Sequence, residues 1–376
     1  MTRALPTRQR IHRAGTSNNR TTISLAAELG IKKPDAPIVA IDLGTLFNKD
    51  SYLDSDETAY VEKVENFLTE VESQPRSSSK NPGSFSQRNR RSPKSDLIVT
   101  WQGKSYALGK QGIIAGGQTN LDGDKTDELE IILRVLFALT LYELGKKTDE
   151  EVYLTLAIPF LNQKDFNRKE AKIRAAIGEA LSWGTVEGMR SVRVKALKVD
   201  PEDYHAELFS RLFSTDSPNF EDEERATVGL GFRTCNLGLI AADGYYDDVR
   251  SKSFEGKGTS LFYEWVANDI GLKQWNNAQF IQAVNTGADY FRPQGSDEEL
   301  ELAEAVELAR GWYVSEIQKL VKKHTPSEVE RFVICGGGAL KFGEALIERL
   351  WGQAVTCPEA DIANSIGQLI EMAMEI

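Results

Sequence analysis

Three glycine turns hold the residues whose types and spacing can do chemistry. The first reads Asp42-Leu43-Gly44-Thr45-Leu46-Phe47-Asn48-Lys49. Gly44 lets backbone N–H groups come close to a phosphate, Thr45 adds a hydroxyl donor and Lys49 a positive charge. Asp42, at the end of an apolar run, can orient the water shell of Mg²⁺. The second reads Gly229-Leu230-Gly231-Phe232-Arg233-Thr234-Cys235-Asn236-Leu237. Its turn residues Gly231, Phe232, Arg233 and Thr234 can clamp a phosphate chain from the opposite side. The third is Cys335-Gly336-Gly337-Gly338-Ala339, between an apolar strand and a helix. Gly336, Gly337 and Gly338 let the chain pass close to a flat ligand, and the helix N-terminus favours an anion. Taken singly, the first two turns are also ordinary hairpin corners and the third a packing turn. Neither GxGxxG nor GxxxxGK[ST] is present; residues 256–260 contain a Gly-Lys pair only.

The elements that must position these turns follow from hydrophobic pattern. Residues 38–43 read as a buried strand and 58–71 as an acidic helix. Residues 97–108 read as a hairpin turning at Gln102-Gly103, and 128–144 as a long helix ended by Gly145. A strand at 152–158, a helix at 167–183, a strand at 191–199 and a helix at 202–213 complete a first set. The second set begins with two strands around the glycine turn of 227–240 and a third after Asp243-Gly244. Helices follow at 258–271, 276–286 and 298–323, then a strand at 331–335, a helix at 339–350, a short strand at 354–357 and a helix at 362–374. The order predicts two α/β units, not one doubly wound sheet.

Composition sets outer bounds. The chain has 376 residues, with 45 Lys+Arg against 56 Asp+Glu. That length suits two or three domains. No apolar run nears the roughly 20 residues that span a bilayer; the longest, 131–142, is interrupted by Arg134. The first 30 residues hold no apolar h-region, so a secretory signal is not expected. Cys235, Cys335 and Cys357 are odd in number and far apart, which speaks against a disulfide framework or a cysteine-built zinc site and fits a reducing cytoplasm. Three scattered histidines make a His-rich metal site a poor reading too.

Charge is unevenly spread. Residues 1–33 carry seven basic residues and one acidic, and residues 75–96 carry six and one. The remainder holds 32 basic against 54 acidic residues, an acidic body unsuited to sequence-specific nucleic-acid binding. Residues 1–20 read as a disordered tail, with a short helix at 22–31, and 73–96 as a disordered inserted loop. The tail offers a contact to anionic membrane or DNA. The loop offers a docking or phosphorylation segment. Both also read as plain solvated segments.

The three turns, in this order, resemble the two phosphate motifs and the adenosine motif of the actin/Hsp70/sugar-kinase superfamily, and within it the bacterial actins of the ParM type. Asp42, Gly44 and Lys49 match a DxGxxxxK form. Residues 103–109 resemble the hairpin before the first long helix, and Leu156-Ala157-Ile158-Pro159 the family's strand ending GLP. Leu197-Lys198-Val199-Asp200-Pro201-Glu202 resembles V-x-V-x-P-E, and residues 363–367 the segment opening the last helix. The resemblance runs from about residue 37 to 376 and leaves out the tail and the inserted loop.

It implies an α/β fold: an actin-like two-domain ATPase of duplicated ribonuclease H-like domains with a nucleotide cleft between them. The implied domains are 37–224, 225–357, and a C-terminal helix in 358–376 returning to the first, after a basic tail at 1–36. The implied cofactors are ATP or GTP and Mg²⁺, with Asp42 towards the metal and Glu202 positioning the water that attacks the γ-phosphate. On the residues alone, Glu202 is a first-turn helix acid favoured by the dipole. Two positions depart from the pattern. Gly229 stands where the family carries Asp, and Asn236 replaces a later Asp. The second acidic contact to the metal shell is then missing, so slow hydrolysis is expected. Arg233 adds a charge that could reach phosphate directly.

The implied function is a cytoplasmic filament former whose assembly is controlled by nucleotide. It would segregate DNA through a small DNA-binding adaptor or serve as a membrane-associated cell-shape scaffold with little hydrolysis. A small-molecule kinase of the same superfamily would need a base beside an acceptor hydroxyl, and no motif supplies one. An Hsp70-type chaperone would need a substrate-binding region after the core.

Overall fold

Residues 38–42 show no polar alternation because both faces of their strand are covered. Ile38 and Ala40 join one buried cluster, and Val39, Ile41 and Leu43 join another. The computed structural model describes residues 20–24, 34–44, 47–53, 58–66, 68–71, 97–109, 127–160, 162–213, 223–273, 275–276 and 278–376.

The first part of the chain runs β1 (Arg20–Ser24), β2 (Ile38–Asp42), β3 (Phe47–Leu53), β4 (Thr58–Glu65), β5 (Thr69–Val71), β6 (Ile98–Trp101), β7 (Lys104–Ala107) and α1 (Glu128–Leu141). It continues through β8 (Glu151–Ile158), α2 (Gln163–Ile177), β9 (Ala180–Thr185), β10 (Gly188–Pro201) and α3 (His205–Phe213). The ten strands form one sheet in the order β1-β4-β3-β2-β8-β10-β9-β6-β7-β5. The second part runs β11 (Arg225–Leu230), β12 (Thr234–Ile240), β13 (Tyr246–Glu255), α4 (Ser260–Asp269), α5 (Ala278–Thr286), β14 (Tyr290–Phe291) and β15 (Leu300–Glu301). It ends with α6 (Ala303–His324), β16 (Arg331–Cys335), α7 (Ala339–Ile347), β17 (Gln353–Thr356) and α8 (Ala363–Glu375). Its main sheet has the order β13-β12-β11-β16-β17.

One topology is used twice. An antiparallel meander, β4-β3-β2 or β13-β12-β11, adds two parallel strands on its inner edge, β8 and β10 or β16 and β17. In each half the glycine turn lies between the first two strands of the meander. Parallel strands leave their chain ends on one side of a sheet, where ligands of open α/β sheets bind.

The last helix closes the first sheet. α8 packs against β2, β3, β8 and α3. Gly367 makes this possible, since a Cβ there would lie 2.1 Å from the His205 carbonyl oxygen. Ser51 Oγ donates to Ser365 Oγ (2.7 Å), and Lys198 Nζ to Glu371 Oε2 (2.5 Å). His205 sits between Asp200 (3.2 Å) and Glu371 (3.3 Å), tying the start of α3 to α8.

Several expected elements differ. Within 58–71 the chain forms strand β4 over 58–65 and β5 over 69–71, not an acidic helix. Pairing with β3 buries Ala59, Val61 and Val64, and β-branched Val suits a ladder better than a helix. Of the short helix expected at 22–31, residues 22–24 belong to β1, paired with β4, and the rest lie outside the described residues. The helix expected to 183 stops at Ile177, where Gly178 takes φ +60° and caps it. Trp183 is then buried in β9, donating its ring N–H to Thr140 Oγ1 (2.9 Å). The helix expected from 298 starts at Ala303, after the small β14–β15 pair. The hairpin at Gln102-Gly103 is as expected, with φ +49° and +80°. Nearly all of the tail and the whole of 73–96 lie outside the described residues. Among the described residues, no helix is long and apolar enough to cross a membrane. All three cysteines are free and buried.

Candidate functional site

The first glycine turn joins β2 to β3, which pair so that Asp42 faces Lys49. Lys49 Nζ donates to Asp42 Oδ2 at 2.9 Å. Burial works against the Lys49 charge, but Asp42 beside it, with Asp203 and Asp361 further off, outweighs that and raises its pKa. Gly44 N–H closes onto the Asp42 carbonyl (2.9 Å), and its own carbonyl accepts from Asn66 Nδ2 and Arg134 Nη1, each at 3.3 Å. Arg134, the residue that interrupts the apolar face of α1, is thus a buried clamp on the turn. Thr45 lies outside the described residues.

The second turn joins β11 to β12, with Gly231 N–H donating to the Thr234 carbonyl (3.0 Å). The third, after β16, is strapped to it. Gly338 N–H donates to Leu230 O and Gly336 N–H to Ala360 O, both at 2.8 Å. The three glycines have different reasons. Gly336 has φ +82°, and a Cβ there would lie 2.7 Å from Leu230 O; at Gly338 a Cβ would lie 2.5 Å from Thr259 Cγ2. A Cβ on Gly337 meets nothing within 4 Å. All three line the cavity, but Gly336 and Gly338 are packed too closely for a side chain, and only at Gly337 would one meet open space.

All three turns line one cavity of about 910 Å³. From the expected set it gathers Asp42, Gly44, Lys49, Glu202, Gly231, Phe232, Thr234, Gly336, Gly337 and Gly338. Arg233 is not part of the lining; its guanidinium pairs with Glu255 (2.7 Å). Glu202 is not a first-turn helix residue. It precedes α3, in a turn where its N–H donates to the Ile158 carbonyl (2.9 Å). The residue is 7% exposed, and its Oε2 accepts from Asn236 Nδ2 (3.3 Å). The same amide donates to Asp203 Oδ2 (2.7 Å), while Asn236 Oδ1 accepts from Ser253 Oγ (2.6 Å). Ser253 thereby orients the amide so that its two N–H bonds face the two carboxylates. An Asp at 236 would have placed a third negative charge beside them.

Other lining residues escape the sequence reading. Lys63 pairs with Asp361, joining β4 to the segment before α8. Thr259 opens α4, its N–H donating to Gly231 O (2.9 Å), and Gly258 lies so close to the second turn that a Cβ would be 2.5 Å from Phe232 O. The Gly-Lys-Gly-Thr-Ser stretch, too short for a phosphate loop of its own, instead buttresses the second turn. Asn285, Arg310 and Lys341 line the cavity as well. Burial, with Arg310 nearby, pushes the Lys341 ammonium down to about 8. These residues carry no local motif; only close approach of α5, α6 and α7 assembles them.

The cavity has the chemistry of an anion and hard-cation site. Lys49 and Lys63 offer positive charge, and Asp42, Glu202, Asp203 and Asp361 offer the oxygen ligands and water partners that Mg²⁺ prefers. The donor set fits Mg²⁺, with no cysteine thiolate at hand, since burial and the charge of Asp203 push the Cys235 thiol up to about 12.

Two sheets of one topology, with a cleft at their paired glycine turns, make this the actin-like fold. No family model and no curated protein matches the sequence. Solved structures do. The ParM of a 15-stranded filament from Clostridium botulinum aligns with a TM-score of 0.68 at 15% identity, covering 91% of this chain and 100% of that one. An archaeal actin homologue aligns at 0.67 and 14% identity, covering 90% and 99%. The same homologue in complex with ADP aligns at 0.63 and 15%, with the same coverage.

Proposed function

We propose that the chain is an actin-like protein that binds ATP or GTP with Mg²⁺ in this cleft, hydrolyses it slowly and assembles into filaments. The observation that carries the reading is the convergence of the turns at 42–49, 229–236 and 336–338, from two sheets, on one cavity beside Glu202. The filament and ADP-bound states of its structural neighbours support it.

In this scheme 37–224 with 358–376 forms one jaw and 225–357 the other. The two hairpin turns hold the phosphate chain, and the part of the cavity lined by Gly337 and Lys341 takes the nucleoside. Mg²⁺, when bound, neutralises charge on the phosphates. Glu202 orients a water and takes its proton as the water oxygen bonds to the γ-phosphorus and the β–γ bridging bond breaks. Closure of the jaws changes their relative angle and with it the subunit contacts. The acidic body is a poor DNA ligand, so a segregation role requires a DNA-binding adaptor. The basic segment 1–33 is a contact for anionic membrane or DNA.

The test is assembly of the purified protein. Light scattering and electron microscopy should show filaments with ATP and Mg²⁺ and none with EDTA. Absence of nucleotide binding under both conditions overturns the reading.

The triple glycine gives a second check. Gly337→Val should fold like the parent and lower nucleotide affinity about tenfold, the equivalent of 1.4 kcal/mol. Gly336→Ala should instead lower stability by about 1–3 kcal/mol, because its left-handed backbone and the Leu230 carbonyl both resist a side chain. Equal behaviour of the two variants in melting and binding would refute this division of roles.

A further inference from the structure

Gly229 removes a carboxylate from β11, and the structure shows what takes its place. A Cβ built on Gly229 would lie 1.9 Å from Asp203 Oδ2 and 2.4 Å from Asp203 Cγ. The Asp203 carboxylate therefore occupies the volume into which a side chain at 229 would project. We propose that Asp203 is the second carboxylate of the metal and phosphate site, supplied from the turn between β10 and α3 instead of from β11. This rests on the nucleotide reading above.

Independent features agree. Asp203 lines the cavity together with Asp42 and Glu202. Its backbone has φ +66°, a left-handed conformation that Asp tolerates better than most residues and that recurs at ligand sites. The Asn236 amide holds its Oδ2 at 2.7 Å. Lys49 of the first turn and Gly231 and Thr234 of the second line the same cavity as Asp203. Gly229 and Asn236 are then a matched pair of changes: one vacates space for Asp203, and the other turns a repelling acid into a donor.

The test compares nucleotide affinity with Mg²⁺ and with EDTA, using a fluorescent ATP analogue, and follows bound Mn²⁺ by electron paramagnetic resonance in the presence of ADP. In the parent, Mg²⁺ should tighten binding. D203N keeps the shape and the left-handed tolerance of the residue, so melting should be unchanged. It should lose about tenfold or more of the metal-dependent tightening and broaden the Mn²⁺ binding curve, as loss of a supporting carboxylate does. G229D alone should be impaired too, because two carboxylates compete for one volume. The double variant D203G/G229D returns the acid to β11 and should regain most of the metal-dependent tightening lost by D203G. D203N that binds Mg²⁺-nucleotide like the parent, or a double variant no better than D203G, overturns the role of Asp203 while leaving the nucleotide reading intact. A parent that binds no nucleotide with or without metal overturns both.

Discussion

Glu202→Gln should lower phosphate release from ATP by about 10²-fold or more, the loss typical of removing a positioned proton acceptor. The exchange is nearly isosteric. The Glu202 N–H would still donate to Ile158 O, and a side-chain oxygen would remain to accept from Asn236 Nδ2. Fold and nucleotide affinity should therefore persist, and only the acceptor of the water proton is lost. Because hydrolysis precedes disassembly in the proposed cycle, filaments of the variant should outlast those of the parent after nucleotide is exhausted. Phosphate release measured beside light scattering separates the two effects. A variant with the parent's rate would remove Glu202 from the chemistry.

Arg134→Met should destabilise the protein by about 3–5 kcal/mol, the range for breaking a buried ion pair from one side. Arg134 is 1% exposed within the α1 core face and does three things there. It pairs with Glu130 one helical turn earlier, donates to the Gly44 carbonyl at 3.3 Å, and lies near the buried Asp50. Met fills similar volume but leaves the carboxylates without their cation. Burial holds the Asp50 carboxyl well above its ordinary 3.8, and the charge of Arg134 opposes this. The native state therefore binds the Asp50 proton more tightly than the unfolded chain does, so the cost of Asp50 grows as pH rises above 3.8 and fades in acid. The variant's penalty should shrink in the same direction. Arg134→Lys should fall between, keeping charge but losing the planar fork. Denaturant titration at neutral and acid pH gives both numbers, and a Met variant within about 1 kcal/mol of the parent would mean the cluster is not a clamp.

The two predictions concern residues of opposite legibility. Glu202 was legible only through the resemblance of residues 197–202 to V-x-V-x-P-E; on the residues alone it read as a first-turn helix acid, and its place in a turn ahead of α3 was not legible. Arg134 looked only like an interruption in an apolar helix, because its partners Gly44 and Asp50 lie 90 and 84 positions away. The strands within 58–71 were misread for the same reason: Val61, Val64, Leu68 and Val71 fall at helical spacing, and only pairing with the edge of β3 selects a ladder for 58–65.

The amino-acid sequence alone determined the local things: strands buried on both faces, the three glycine turns, and the order of two α/β sets, with the actin-like fold implied by resemblance. These depend on periodicity and on backbone freedom, which neighbours in the chain decide. Tertiary structure alone determined that Arg233 turns to Glu255, that Gly336 and Gly338 are packed too closely for a side chain while Gly337 is not, and that Asp203 fills the space left by Gly229. Those facts depend on which atoms share a volume across two sheets, and shared volume is a property of packing that no spacing along the chain encodes.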